Sequence, residues 1–534
     1  MAASPHLSRS IWRWCIPLVV LLIHRLWLFM THGEAFARLV AANPGFVLAE
    51  MPMRDALVEL PVRALIGLQH GPPLPSLLMA GVLAIAPAPL ATAWTLVALQ
   101  VLATAATALG ILALADRVWK ARWPGPALAV LWVLSPDAVV FETHSLGQLV
   151  HDTWIAPLLV LATILTLTLR ESPSQASGLG LGAVAATLAL LSPLYSLIAL
   201  PLIVVPACSA PRGRRLRTIL AVLVAWLALH GTWTVKNGVA NDDWRLWTST
   251  DRGVALAESL QASGQGEGLQ LAIADDASAP KWFRSWARET ETSPDMPTWE
   301  GSERLLPVEV RRADVERLQW LEGHARAEGG ARLRLVSDLL DRAWRRHVLE
   351  HPRVLLFELR LGLAQFWFPI RQHGRHGLSL FAVEPTIERS LRVHRRPAQL
   401  LRGELPESVV RFGGEAPAGE PVVLGTLDTA VVILDAMTLV AVHTLLPIAL
   451  GVLVWRRRPG TWTRADRLLV ASAVLYAFAL VHGSLLEQAE AMRLRLHVAP
   501  LLWLATLECF RRGVGWARAS VAGRGVGVVR RGAV

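Results

Sequence analysis

Cysteine is almost missing from this chain: Cys15, Cys208 and Cys509 are the only three in 534 residues. Each lies within or at the end of an apolar stretch and none belongs to a CxxC, so no disulfide framework or zinc site is predicted and the three read as packing residues. Charge is scarce as well, at 18% of residues against 53% hydrophobic, with a mean hydropathy of +0.41. Only two tyrosines occur.

What the chain has in quantity is apolar sequence. Its repeated runs near 20 residues match the length at which a helix crosses a bilayer. Only helices or closed barrels satisfy their backbone groups in lipid, and runs this long exclude a barrel. The expected fold is therefore an all-α polytopic membrane protein. A formal charge of +11 and a pI near 10.8 would suit nucleic acid. The arginine clusters fall beside hydrophobic spans, however, where the positive-inside rule accounts for them, and nucleic acid is set aside as a partner.

Ten spans are expected, at residues 11 to 30, 90 to 115, 124 to 141, 153 to 169, 177 to 191, 193 to 207, 217 to 234, 428 to 455, 466 to 483 and 496 to 510. The basic groups Arg9/Arg13, Arg117/Lys120/Arg122, Arg212/Arg214/Arg215/Arg217, Arg456/Arg457/Arg458 and Arg511/Arg512/Arg518 then share one side. That side is assigned to the cytoplasm, with both termini on it. Arg9 and Arg13 precede a first apolar run without a small-residue cleavage motif, so a retained signal anchor is expected. The region from 177 to 207 reads as one long span or two short ones meeting at Ser192-Pro193.

The chain divides into an N-terminal membrane region (1–234), an extracytoplasmic region (235–427) and a C-terminal membrane region with a cytoplasmic tail (428–534). The first region carries outer loops at 31–89 and 142–152. Residues 74 to 86, LPSLLMAGVLAIA, are too short to cross and are read as an interfacial helix. Residues 352 to 370, PRVLLFELRLGLAQFWFPI, are apolar but interrupted by Glu358 and Arg360, and are read the same way. A helical stretch is expected from Val308 to Leu349.

The segment EAMRLRLHVAP, residues 490 to 500, sets Arg493, Arg495 and His497 at the mouth of an apolar run. An arginine at the centre of a membrane helix costs about 2.5–3.5 kcal/mol on insertion scales, so this cluster needs an anionic partner or an interfacial seat. Snorkelling at a helix end is the plain alternative.

Four segments on the predicted outer face, taken in order, resemble the C-type membrane glycosyltransferases that use polyprenyl-phosphate sugars. The superfamily includes protein O-mannosyltransferases and lipid A aminoarabinose transferases. The first segment is MRDALVELPVRALIGLQHGPPLPSLLMA, where Asp55 matches the family's acidic position ahead of a juxtamembrane helix and a PPL element, with His70 beside it. The second is HSLGQLVHDTWIAPLL, where Asp152 stands at the start of the next span. The third begins GTWTVKNG, with Lys236-Asn237 in place of an Arg-Asn pair, and the fourth is EAMRLRLHVAP. His24-Arg25 in the first span also resembles an arginine often seen there, although snorkelling explains it equally well. The resemblance covers most of residues 11 to 260 and 425 to 510. It departs from the family at Ala56 and Glu59, where a second acid and an aromatic are usual.

The resemblance implies a bundle of about ten membrane helices with juxtamembrane helices and a mixed extracytoplasmic region. It also implies transfer of a sugar from a polyprenyl-phosphate carrier to an acceptor hydroxyl, outside a bacterial cytoplasmic membrane. Asp55 is the expected general base. Arg493, Arg495 and Lys236 suit the phosphate leaving group, because guanidinium and ammonium groups stabilise developing negative charge. His497, His70, Asp152 and Asn237 complete the expected binding residues. Direct attack assisted by one base inverts the anomeric centre.

Each residue has a plainer reading: Asp55 and Asp152 as helix caps, the loop histidines as solvated side chains, and Lys236-Asn237 as a helix end. No HxxxH links His70, His144 and His151, so a divalent ion has no support from spacing and no soluble cofactor is expected. Two rivals stay open. One is a transporter or flippase of an anionic lipid or glycolipid, and the other a non-catalytic partner in cell-envelope assembly. The acceptor is undefined by any motif between 260 and 425.

Overall fold

The computed structural model describes residues 5–42, 73–119, 123–135, 152–171, 174–203, 212–241, 252–262, 266–288, 330–366, 437–456, 461–486 and 491–529, with a few isolated positions between them. The described residues are helical and contain no strand. Five helices are long and apolar enough to cross a membrane: Trp12–Met30, Pro89–Val118, Arg215–Val239, Met437–Trp455 and Arg464–Leu485. Shorter apolar helices occupy Pro73–Ile85, Pro124–Val133, Thr153–Leu169, Gln175–Leu191 and Pro193–Ile203. Full-length crossings therefore account for five of the ten expected spans.

Helix α1 (Pro5–Ala42) opens the chain. It is followed by α2 (Pro73–Ile85), α3 (Pro89–Val118), α4 (Pro124–Val133), α5 (Asp152–Glu171), α6 (Gln175–Leu191) and α7 (Arg212–Asn241). The register between them is legible from side-chain pairs. Arg13 pairs with Asp116, and sixteen residues on Phe29 meets Trp94, so α1 and α3 are antiparallel. Gly110 lies against Val160 and Arg117 bonds the Thr168 hydroxyl, so α3 and α5 run the same way.

Helices α6 and α7 also run in the same direction, through a close approach that only small residues permit. A Cβ on Gly178 would stand 2.9 Å from Ala221 Cβ. One on Gly182 would collide with the Val222 carbonyl and stand 2.8 Å from Ala225 Cβ. This Gly-x-x-x-Gly pair is a packing signal that the hydropathy pattern does not carry. A break in the helix follows the end of α6. Helix α6 ends at Ser192, a 3-10 turn spans Pro193–Tyr195, and a short helix follows to Ile203. The expected junction at Ser192-Pro193 is where the helix stops, because proline removes a backbone donor and disfavours the helical form of the residue before it.

Helix α2 is joined to α3 by residues 86–88, and Thr92 Oγ1 closes that turn by donating to the Ala86 carbonyl at 2.5 Å. Its Met79, Val82 and Leu83 are buried, and it packs on α3 and α6.

Helices α8 (Arg252–Ala262), α9 (Gly266–Ala274), α10 (Lys281–Arg288) and α11 (Gly330–Glu350) build a second core. It centres on Leu260, Ile273, Phe283 and Leu340. Gly253 sits so close to α11 that a Cβ would strike the Ser337 carbonyl, while its N–H donates to Ser337 Oγ at 2.9 Å.

Helix α12 (Arg353–Phe366) follows. Its sequence reads as an interfacial helix, and it packs lengthwise against α14 (Arg464–Leu486). Its Gly362 abuts Ser484, and its Phe366 meets Tyr476, eight residues earlier in α14, with ring centroids 5.3 Å apart, so the two helices are antiparallel. Glycine at 362 permits this approach.

The C-terminal region contains a π-turn at Ala441–Leu445 leading into α13 (Leu446–Arg456), then α14, then α15 (Ala491–Val529). Helix α15 is the central element of the bundle: Leu501, Leu502 and Leu504 are fully buried, and Trp503 packs edge-on against Trp132 at 5.9 Å.

One end of the bundle is knit by charges. Thr463 and Asp466 cap α14 reciprocally, with the Thr463 N–H donating to Asp466 Oδ2 at 2.7 Å and the Asp466 N–H to Thr463 Oγ1 at 3.2 Å. Arg512 bridges Asp466 and Glu508, Arg511 grips Glu508 through two bonds of 2.7 Å, and Trp119 donates to Glu508 at 2.9 Å. Arg464 pairs with Glu171. Arg13, Arg117 and Arg511, expected to share one side, do share this end.

Two outcomes follow from this packing. Gly182→Ala should destabilise the chain by about 1–3 kcal/mol through overpacking, whereas Gly231→Ala, whose Cβ meets nothing within 4 Å, should be neutral or stabilising. Unfolding of the two variants in detergent checks this. The second concerns His347, under α9 beside Gly268, whose pKa is pushed below its ordinary 6.5 by burial and then by His351. As pH falls through 6.5, the unfolded chain takes up a proton that the folded one resists, so stability is lost on acidification. His347→Gln should flatten that acid limb in urea titrations at a series of pH values.

Candidate functional site

Counting along the helices from the charged end places three polar groups at nearly one height. Arg25 is twelve residues beyond Arg13, and Tyr476 twelve beyond Arg464, or about 18 Å along each axis. His497 and Arg495 lie eleven and thirteen residues from Glu508 on α15, or about 17–20 Å. The flanking positions are apolar, so these side chains depend on one another.

The first group is an ion pair. Arg25 Nε donates to Glu142 Oε2 at 2.5 Å and Nη2 to Oε1 at 2.7 Å, and Thr104 Oγ1 adds a 2.6 Å bond to Oε1. Side-chain exposure is 11% for Arg25 and 2% for Glu142. Arg25 Nη1 also reaches His24 Nδ1 at 2.5 Å, which places the imidazole proton on Nε2. Snorkelling is therefore the wrong account of Arg25, because its fork lies on a carboxylate inside the bundle. Such a bidentate pair offsets part of the desolvation of both ions. Glu142 was marked in the sequence only as the first residue of a loop. A carboxylate at the end of an apolar run, with an arginine in another, was the available signal.

The other two groups use both tyrosines of the chain. Tyr195 OH and His497 Nδ1 are 2.9 Å apart, and so are Tyr476 OH and His443 Nε2. His443 Nδ1 lies 2.8 Å from the Leu439 carbonyl, so it carries the proton and Nε2 accepts from the tyrosine. Both pairs sit where a helix is irregular. Tyr195 ends the 3-10 turn after α6, and His443 lies inside the π-turn. Aromatic packing holds them, with Phe478 on Tyr195 at 5.9 Å and Phe366 on Tyr476 at 5.3 Å.

The expected site residues divide three ways. Arg495 and His497 are both buried within the bundle, at 2% and 0% exposure. Lys236 and Asn237 lie within α7 rather than at its end. Lys236 Nζ donates to Asn237 Oδ1 at 2.9 Å and stands 4.0 Å over the Trp233 ring. Asp152 begins α5, eight residues before Val160, near the height of Thr104; its side chain, like that of Arg493, lies outside the described residues. Asp55 and His70 lie wholly outside them. Helix α7 packs on α6, whereas α15 packs on α3, α5, α12, α13 and α14. Among the described residues, α7 and α15 do not pack along each other, so the fold does not lay the Lys236-Asn237 pair against Arg495.

On α7 the sequence reading passed over His230. It is fully buried and stacked on Trp226 at 5.2 Å, with no hydrogen bond to either ring nitrogen. Among the described residues, no group of three His, Cys, Asp or Glu is placed to hold a metal ion.

No family model matches the chain, and comparison with curated proteins and with solved structures gives no match.

The Arg25–Glu142 pair generates a test. Removing one partner, as in Glu142→Ala, should cost about 3–5 kcal/mol because a buried charge is left uncompensated. The double variant Arg25→Met/Glu142→Leu should recover most of that loss. Unfolding midpoints of both variants in detergent measure the difference, and equal losses would show that the bridge is not what matters there.

Proposed function

We propose that this chain is an integral-membrane glycosyltransferase of the C-type architecture. It moves a sugar from a polyprenyl-phosphate carrier to an acceptor hydroxyl at the outer face of a bacterial cytoplasmic membrane, with both termini inside. The observation that carries this reading is the burial of Arg495 at 2% exposure in the opening turns of α15, at a height shared with Glu142 and the start of α5. A guanidinium held there suits an anion that arrives from the lipid side, since an intramembrane cation marks a functional site by default.

The chemistry is a displacement at the anomeric carbon. The acceptor oxygen attacks, the carbon–oxygen bond to the lipid phosphate breaks, and its electron pair leaves with the phosphate. The departing oxygen gains negative charge that Arg493 and Arg495 are suited to stabilise by planar donors. The acceptor hydroxyl loses its proton to the Asp55 carboxylate as the new bond forms. One displacement with one base inverts the sugar configuration. His497, held by Tyr195, supplies a fixed imidazole beside Arg495 in sequence, and Asp152 and His70 complete the binding residues in this reading.

A second reading, transport or flipping of an anionic lipid, is favoured by one observation. Two helices are irregular at nearly the same depth, at Ser192–Tyr195 and at Ala441–Leu445, and broken helices at a common level are typical of transporters.

Asp55→Asn separates the two. On the enzyme reading it keeps lipid-phosphate binding and lowers sugar transfer by about 10²–10⁴-fold. Unchanged transfer removes Asp55 from the mechanism, and lipid translocation without transfer in the unaltered protein supports the transporter. Labelling of residues 55 and 493 from opposite sides of the membrane would sink the shared site.

A further inference from the structure

The second core carries a histidine pair that the proposed reaction does not use. His347 lies in the last turn of α11 and His351 follows four residues later, the spacing that sets two side chains one above the other on a helix. The His351 N–H donates to the His347 carbonyl at 2.9 Å, so the helical bond ladder reaches His351 and fixes the two positions against each other. Their ring centroids stand 5.2 Å apart, with 59° between the planes. An ion bound about 2.1 Å from one nitrogen of each ring, at a tetrahedral angle, sets the ring centres about 5 Å apart. The pair already has the separation that chelation needs.

The surroundings also favour a cation. His347 is 5% exposed, and its Nε2 is buried without a hydrogen-bond partner among the described residues. A buried polar atom left open in this way calls for water or an ion. Gly268 of α9 faces the ring so closely that a Cβ there would stand 2.3 Å from Cε1, which holds the imidazole in place, while His351 is exposed and gives access from solvent. Burial, and then His351, hold His347 below the usual imidazole range, so the ring is neutral and keeps a lone pair for a metal. The pair sits at the C-terminal end of a 21-residue helix, where the backbone carbonyls attract positive charge. Neighbouring arginines are compensated: Arg345 pairs with Asp341, and Arg346 pairs with Glu350 at 2.9 Å and is attracted by Asp276 and Asp275.

We infer that His347 and His351 form a binding site for a divalent transition-metal ion at the end of α11. Two imidazoles select zinc, nickel or copper(II) over magnesium and calcium, which take oxygen ligands. Water fills the remaining positions, because among the described residues no third His, Cys, Asp or Glu stands with the pair. An ion bound there ties the last turn of α11 across its open end, next to the contact with α9. This inference does not depend on any catalytic activity of the chain.

The test measures where copper(II) binds. A nitroxide is attached through Leu335→Cys, a 39% exposed position of α11, in the full chain after replacement of Cys15, Cys208 and Cys509. The protein is stripped with EDTA in detergent and given copper(II) chloride at up to three equivalents. Residue 335 is fourteen positions from the midpoint of the pair, so pulsed EPR should show a narrow copper–nitroxide distance of about 20 Å. His351→Gln changes an exposed side chain, leaves the fold intact and should abolish that distance, with copper affinity at the site reduced at least tenfold. No such distance in the protein with both histidines, or the same distance after His351→Gln, would overturn the site.

Discussion

Inside an apolar bundle an ionised side chain finds its partners among the polar groups of the protein itself, and this constraint organises the structure. Glu508 accepts from Trp119, Arg511 and Arg512, joining α3 to α15 at one end. Glu142 accepts from Arg25 and Thr104, joining the chain after α4 to α1 and α3 about 18 Å away. Each carboxylate is nearly or fully buried, and each is met by donors from more than one helix. An unpartnered ion in these places would cost several kcal/mol, so the helices that supply donors are held in register as well as in contact.

The helical class and the grouping of arginines at one end were legible in the sequence because both follow from local composition. Apolar runs identify helices, and Arg13, Arg117 and Arg511 mark their common end. The break after α6 was legible too, since Ser192-Pro193 carries its own backbone restriction. Partnership was much less so. Arg25 and Glu142 are 117 positions apart and Tyr195 and His497 are 302 apart, and no periodicity links residues at such separations. The packing of α12 along α14 was not legible for a related reason, because Gly362 and Phe366, which make that contact, carry no hydropathic signature.

The expected site residues were legible as residue types and only partly as an arrangement. Arg495 and His497 lie deep in the bundle, and Lys236 and Asn237 form their own pair under Trp233 on a helix that packs elsewhere. Spacing along α15 was sufficient to single out Arg495, because an arginine in an apolar run is costly wherever it settles. It was insufficient to tell how α7 stands to α15, since that depends on Gly178 and Gly182 drawing α7 onto α6.

The reciprocal cap at Thr463 and Asp466 has a consequence for the charge carried by the last two helices. Asp466 caps the start of α14 and also binds Arg512 near the far part of α15, so a single carboxylate joins the base of a helical hairpin. Neither strand of that hairpin presents this acid or this base bare to lipid once the two have met. The two helices thus form one neutralised unit, its base closed by the Asp466–Arg512 pair.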